Sequence, residues 1–465
     1  MKKDQMFYRA LSILCLLAFV LAACAPAATQ TTAPDAEEPA ATEPSVSEPE
    51  ATEPAATESA AGEPVTLTYL TDDSENSQAR AKALIDAYTA QHPNVTITVE
   101  LRPQGSEGDN IVKTRLATGE MTDLFFYNSG SLLQALQPAD TLVDLTDEPF
   151  MDNVVDSFKS AVSQNGRVYG VPSETGMGGG ILYNKKVYEE LGLSVPTTWE
   201  EFAANNEAIK AAGIAPVIQT YGDTWTSQLF VLADYYNVQQ AHPNFAEDYT
   251  NNEAKYATTP EAMAGFQYLQ EGFEKGWWQQ DYATAKYDQG LQLLASGEGV
   301  HYPMLTFALS TIATNFPDQV KDIGFFAQPG TNASQNGATI WMPAATYIPQ
   351  TSQNIEAAKD FLAFIASTEG VEALNAAVEP GGPYMIKDAS LPDDVIPAVN
   401  DIAAYIEAEK SAPALEFLSP VKGPTLEQLT VAVGTGQMTP EEAAAAYDED
   451  VKKQAQQLGL PGWEE

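Results

Sequence analysis

The residues that could carry out covalent or metal chemistry in this chain are few and scattered. Its three histidines, His92, His242 and His301, stand far apart with no His-x-x-x-His spacing, and both cysteines, Cys15 and Cys24, fall near the N-terminus. A metal site is not expected from such a set, because zinc sites draw their ligands from closely spaced Cys and His. The run Gly176-Met177-Gly178-Gly179-Gly180 lacks the lysine and following Ser/Thr of a phosphate cradle, and there is no Gly-x-Ser-x-Gly elbow or dinucleotide fingerprint. No cofactor is expected, and the glycines read as backbone freedom near a bend. With 64 Asp and Glu, a glycosidase-like pair could be drawn almost anywhere, and only separation in space would decide it. What remains is recognition chemistry. Trp225, in TYGDTWTSQ, follows a strand-like PVIQT and has polar flanks, so a ring offered to a ligand competes with a buried ring whose N–H is satisfied.

Cys24 has a different use. Met1 to Arg9 is basic and Ala10 to Ala23 is apolar, too short to span a bilayer, which takes roughly 20 apolar residues. Leu21-Ala22-Ala23-Cys24 resembles the bacterial lipobox, which implies a signal peptide over 1–23, cleavage before Cys24 and acylation of its thiol; an ordinary signal peptide cut at an Ala-x-Ala site is the alternative. Each acyl carbon adds about 0.8 kcal/mol of membrane affinity, and two or more chains anchor stably. The rest of 24–64 is Ala, Thr, Pro, Glu and Ser in loose repeats, without aromatic or basic residues. Such a segment buries too little apolar surface to offset its ordering entropy and reads as a disordered stalk, spanning roughly 35 Å as a flexible coil.

Leader and stalk contribute +2 and −9 to the chain's −41, leaving −34 for 65–465. Nucleic acid is therefore excluded as a partner, since it demands a basic face; the acidity suits solubility outside the cell. Four hundred residues exceed what one core supports, so two lobes are expected, and without cysteine no disulfide joins them. Val65 to Leu70 alternates as a strand, Ala81, Leu84, Ile85 and Tyr88 follow helical spacing, and Val95 to Leu101 alternates again, which makes a β-α-β unit. Thr198 with Glu201 and Thr439-Pro440 with Glu442 predict capped helix starts, and Thr259-Pro260 a third.

The segment Gly166 to Gly213 resembles the signature region of family 1 extracellular solute-binding proteins, the maltose-binding-protein-like sugar-binding components of ABC importers. The resemblance rests on Gly166 to Pro172 (GRVYGVP), Tyr183-Asn184-Lys185, Leu191-Gly192 and Pro196 to Phe202 (PTTWEEF), with support from HPNVTITVE, LATGEMTDLFFYN and NIEAAKDFLAFIASTEGVEAL. Two places depart from the family pattern. Thr122-Asp123 stands where Pro-Asp is usual, and His301-Tyr302-Pro303-Met304 stands where Gly-x-Trp often occurs, leaving the aromatic platform either at Tyr302 or displaced.

The resemblance implies an α/β, type II periplasmic-binding-protein-like fold. Each of its two lobes would be a mostly parallel sheet flanked by helices, with the ligand cleft between them. Lobe 1 would take 65–172 plus 333–378 and lobe 2 would take 173–332 plus 379–465, hinged near Pro172-Ser173, Thr331-Asn332 and Glu379-Pro380. A sugar needs rings to stack on its C–H faces and polar groups for its hydroxyls, because an unpaired buried hydroxyl costs roughly 1–3 kcal/mol. The implied ligand contacts are Trp225, Trp341, Trp278, Tyr384 and Tyr302 among the aromatics, and Glu174, Asp72, Asp73, Asn128 and Ser129 among the polar groups. One of Asp72 and Asp73 could instead cap a helix, Trp277-Trp278 could pack inward, and Arg80 could pair with a surface acid. The implied protein is a monomeric, non-enzymatic importer component. It would be lipid-anchored outside the cytoplasm, at the cell surface or in the periplasm, with a carbohydrate ligand and ABC permease subunits as partners. A secreted carbohydrate hydrolase and a solute sensor are the alternatives.

Overall fold

Val65–Asp72 forms strand β1, and in the computed structural model, which describes residues 63–464, it opens the first lobe. The leader, Cys24 and nearly all of the stalk lie outside the described residues. Helix α1 (Glu75–Gln91) follows, buries Ala81, Leu84, Ile85 and Tyr88 as their spacing predicts, and leads to β2 (Val95–Arg102). The two strands pair in parallel from Val65 opposite Val95 to Asp72 opposite Arg102. After α2 (Gly105–Thr118), β3 (Leu124–Tyr127) joins the other edge of β1 in parallel. Asp123, just before β3, is structural. Its carboxylate accepts from Thr68 N and Oγ1 (both 2.9 Å) and from Ser352 Oγ (2.7 Å), so although burial would raise its pKa, these bonds hold it below the usual range.

From β4 (Gly170–Pro172) the chain crosses to the second lobe and enters β5 (Met177–Asn184), whose eight residues are all buried. Three of the four glycines of that run, Gly178, Gly179 and Gly180, sit inside this strand rather than at a bend, with Gly176 just before it, and none of the three has positive φ. They are small because other groups occupy the space a side chain would need. A methyl group at Gly179 would lie 2.1 Å from the Trp341 ring, and one at Gly180 would lie 2.5 Å from Phe326 O. Strand β6 (Gly299–Leu305) pairs antiparallel on one side of β5; β7 (Ala338–Trp341) and Ile323–Ala327 pair antiparallel on the other. Ser411–Pro413 and Ala215–Val217 close this sheet with parallel pairs. The chain then returns to lobe 1 as β8 (Ala345–Tyr347), antiparallel to both β3 and β4. Both sheets are therefore mixed, and the expected parallel order holds chiefly for β1–β3.

Two boundaries differ from expectation. Residues 338–341 pair with β5 and 411–413, so the second crossing lies between Trp341 and Ala345 rather than at Thr331-Asn332. At the expected crossing Glu379 O and Gly381 O accept from Ser310 Oγ and Thr306 Oγ1 of the second lobe, but Met385 and Ile386 then pack in the first-lobe core and Ile396 in a second-lobe core, so the crossing is completed only after Ala389. Sheet pairing decides the first and side-chain packing the second, and each joins segments that no local pattern connects. The capping boxes at Thr198/Glu201 and Thr439/Glu442 form, while Thr259 caps its helix without a side-chain bond.

Candidate ligand-binding cleft

The carboxyl ends of β1, β2 and β3 all point at the space between the lobes, where open α/β sheets place their ligands. That space is a cleft of about 480 Å³, within the roughly 300–1,000 Å³ typical of small-molecule sites. Asp72 ends β1 and Arg102 ends β2 in register with it, while Asn128 and Ser129 follow β3; all four line the cleft. Asp72 Oδ1 accepts from Ser74 N (3.0 Å) and its Oδ2 from Ser77 Oγ (2.8 Å), whereas Ser74 is the helix cap. Asp73 is exposed outside the lining and accepts from Gln104 Nε2 at 3.4 Å, because its side chain leaves β1 on the solvent side. Asn128 is exposed and its side chain meets no partner among the described residues, and Ser129 Oγ donates to Pro343 O at the second crossing (2.7 Å).

Glu174 lies in the first crossing. It accepts from Ala344 N through Oε1 (2.9 Å) and pairs with Arg80 through Oε2 (2.9 Å). Arg80 also donates to Ser77 Oγ (3.0 Å) and sits 5.6 Å from the centre of the Phe126 ring. Arg80 does pair with an acid, but in the cleft rather than on the surface: the two side chains are 13% and 11% exposed. A chain of polar contacts thus runs Asp72, Ser77, Arg80, Glu174, tying the first lobe to two crossings.

The opposite wall is aromatic. Trp225 lies in a short 3-10 turn, its ring 5.3 Å from Tyr287 and 6.0 Å from Phe307. Trp341 ends β7, lies against Gly179 and donates from Nε1 to Glu416, which Lys422 meets at 3.5 Å. Burial raises the Tyr287 phenol well above its ordinary pKa, so it stays a neutral hydroxyl. Across the cleft, Asp109 on α2 is raised by burial while Arg102, Lys113 and Lys422 pull it back down.

Three of the expected aromatic contacts lie elsewhere. Tyr302 is 1% exposed and bonds Thr220 Oγ1 at 2.6 Å within a second-lobe core, because its position in β6 turns it away from the cleft. Trp278 packs over Gly272 and donates to Gly434 O (3.0 Å), so ring and N–H are both satisfied internally. Tyr384 bonds Asn375 (2.9 Å) beside a small hollow behind the Arg80–Glu174 pair. The rings that do line the cleft beyond Trp225 and Trp341 include Tyr287 and Phe307. Phe307 could have been noticed two residues beyond β6, and Arg102 at the end of β2; Glu416 and Lys422 carry no local signal.

A model of the family described as bacterial extracellular solute-binding protein matches residues 72–372. The chain is 23% identical over 319 residues to the multiple sugar-binding protein of Streptococcus mutans, covering 67% of this chain and 73% of that one. It is also 23% identical over 333 residues to the melibiose/raffinose/stachyose-binding protein MelE of Bacillus subtilis, covering 69% and 75%. Among solved structures it resembles a chitin oligosaccharide binding protein (TM-score 0.74, 23% identity, 85% of this chain and 100% of that one). It likewise resembles RafE in complex with raffinose (TM-score 0.69, 21% identity, 84% and 99%). At these identities the structural likenesses speak for the fold.

Proposed function

Because the chain belongs to the bacterial extracellular solute-binding proteins, whose place of work is outside the cytoplasm, we propose that it is the substrate-binding component of an ABC importer, taking up a sugar or oligosaccharide between its lobes and passing it unchanged to the permease. The observation that carries this reading is the make-up of the cleft. Trp225, Tyr287, Phe307 and Trp341 offer ring faces and edges on one side, and Asp72, Asn128 and Asp109 offer hydrogen-bonding groups on the other. Rings suit the C–H faces of a pyranose and the polar groups its hydroxyl rim. The sugar-binding names of both relatives point the same way. Acylated Cys24 moors a monomer to the membrane, and the stalk lets it work clear of the surface.

Titrating the full chain with an oligosaccharide panel, followed by tryptophan fluorescence, tests the reading. Saturable binding of at least one sugar, with no new reducing ends on long incubation, is the expected result. Turnover would favour a hydrolase, and the absence of any binding would remove the sugar. Cys24→Ser should release the protein from the membrane fraction, and persistent association would overturn the tether.

A further inference from the structure

The charge on the cleft wall does not resemble the rest of the chain. Overall the protein holds 23 Lys and Arg against 64 Asp and Glu, yet the lining contains Arg80, Arg102, Lys113 and Lys422 against Asp72, Asp109, Glu174, Glu416 and Glu427, close to balance. Two of these cations are committed: Arg80 to Glu174 and Lys422 to Glu416.

Arg102 is different. Of the four arginines among the described residues, Arg80, Arg115 and Arg167 each meet a carboxylate within 4.0 Å. Arg102 is 5% exposed and meets none among the described residues. Its Nη1 donates to Pro103 O (3.0 Å), its Nη2 to Phe126 O (3.4 Å), and its guanidinium lies 5.7 Å from the centre of the Tyr127 ring. Its Nε is buried without a partner among the described residues. A buried charge whose direct partners are only carbonyl dipoles and a ring, with its nearest acting carboxylate beyond ion-pair distance, is costly to keep, and a guanidinium fork is shaped for a carboxylate. Asp109, the acid that acts on it, is also acted on by Lys113 and Lys422, so one carboxyl faces three cations.

The unmatched polar atoms lining the cleft point the same way. Asn76 Nδ2, Arg102 Nε, Ser131 Oγ, Trp225 Nε1 and Tyr287 Oη, all on lining residues, are buried without partners among the described residues. Three of the five are N–H groups that only donate, and the two hydroxyls can donate as well. A ligand that satisfies them must be rich in acceptors. A chain of net charge −41 repels anions at long range, so attraction for an anion has to be supplied locally, by cations inside the cleft.

Resting on the proposed sugar-binding role, we propose that the cleft takes an acidic saccharide, a uronic-acid-containing oligosaccharide, with Arg102 receiving the carboxylate and Lys113 supporting it. The test titrates the full chain with trisaccharide pairs that differ only in a C6 carboxylate against a C6 hydroxymethyl: galacturonate and galactose, glucuronate and glucose, mannuronate and mannose. In at least one pair the acidic member should bind about tenfold more tightly, as expected for a charge-assisted bidentate contact. Arg102→Gln should weaken the acidic member about tenfold more than the neutral one. Asp109→Asn, which removes a competing carboxylate, should tighten the acidic member selectively, an effect that damaged folding would not produce. If neutral members bind as well as or better than their acidic partners, or if the preference survives Arg102→Gln in a folded protein, the inference falls while the sugar-binding reading stands. The inference also falls if Asp109→Asn weakens both members equally. Failure of every neutral and acidic sugar would sink both.

Discussion

The two walls of the cleft are held in place by different physical means. On the first-lobe side, Asp72, Arg102 and Asn128 arrive at the ends of adjacent strands, and the register of Val65 with Val95 through Asp72 with Arg102 fixes where each begins. On the second-lobe side the four rings come from a 3-10 turn, a helix start, a segment just beyond a strand and a strand end, and they rest on one another and on Gly179. Backbone ladders position the polar wall, whereas side-chain packing positions the aromatic one. Interiors packed as tightly as crystals transmit any change of volume, so the aromatic wall should be the more fragile of the two.

The sharpest strain on that contrast is acid. His301, in β6 within the second-lobe core that carries the aromatic wall, is fully buried between Tyr188 Oη (2.6 Å) and Asn206 Oδ1 (2.8 Å), with Phe202 and Phe326 around its ring, and burial drives its pKa from 6.5 down to about 3. Folded, the imidazole stays neutral; unfolded, it takes a proton as the pH drops below 6.5. Stability is therefore lost progressively between pH 6.5 and 3, at about 1.4 kcal/mol per unit. Melting curves from pH 7 to 4 should steepen this loss in the native chain and flatten it in His301→Gln; parallel slopes would show that another group is responsible.

Gly179→Val drives a side chain into the Trp341 ring and should cost about 3 kcal/mol, with binding lost alongside. Denaturant midpoints unchanged from the parent would mean the aromatic wall is not held by packing. Trp225→Ala should reduce sugar affinity by at least about tenfold and, because its ring rests on Tyr287 and Phe307, lower stability by about 2 kcal/mol, and calorimetry with folding controls separates the two. The polar wall should give the smallest response: Asn128→Ala deletes one uncommitted side chain and should weaken binding only a few-fold, as one hydrogen bond is worth about 1 kcal/mol. A loss larger than that of Trp225→Ala would invert the comparison.

Much of the scaffold was legible in the residues. The spacing of Ala81, Leu84, Ile85 and Tyr88 appears as the buried face of α1, and the Thr198/Glu201 and Thr439/Glu442 boxes close as drawn. The end of β1 led to Asp72, and the same logic at the end of β2 would have led to Arg102. The glycine run resisted because spacing cannot distinguish a glycine that needs unusual φ from one that yields room. Tyr302 resisted because an aromatic in a strand can face either side, and only the packed neighbours decide.

By itself the sequence determined the strands, the helix starts, the division into more than one core and the overall acidity, since these depend on periodicity and caps within a few residues. The tertiary structure alone decided that Glu174 would hold Arg80, 94 positions away in the chain, and that Trp341 would lie against Gly179 while Arg102 met no carboxylate within ion-pair distance among the described residues. Such pairings depend on which segments the crossings bring together. That is settled by the competition of whole surfaces for burial, not by any local pattern.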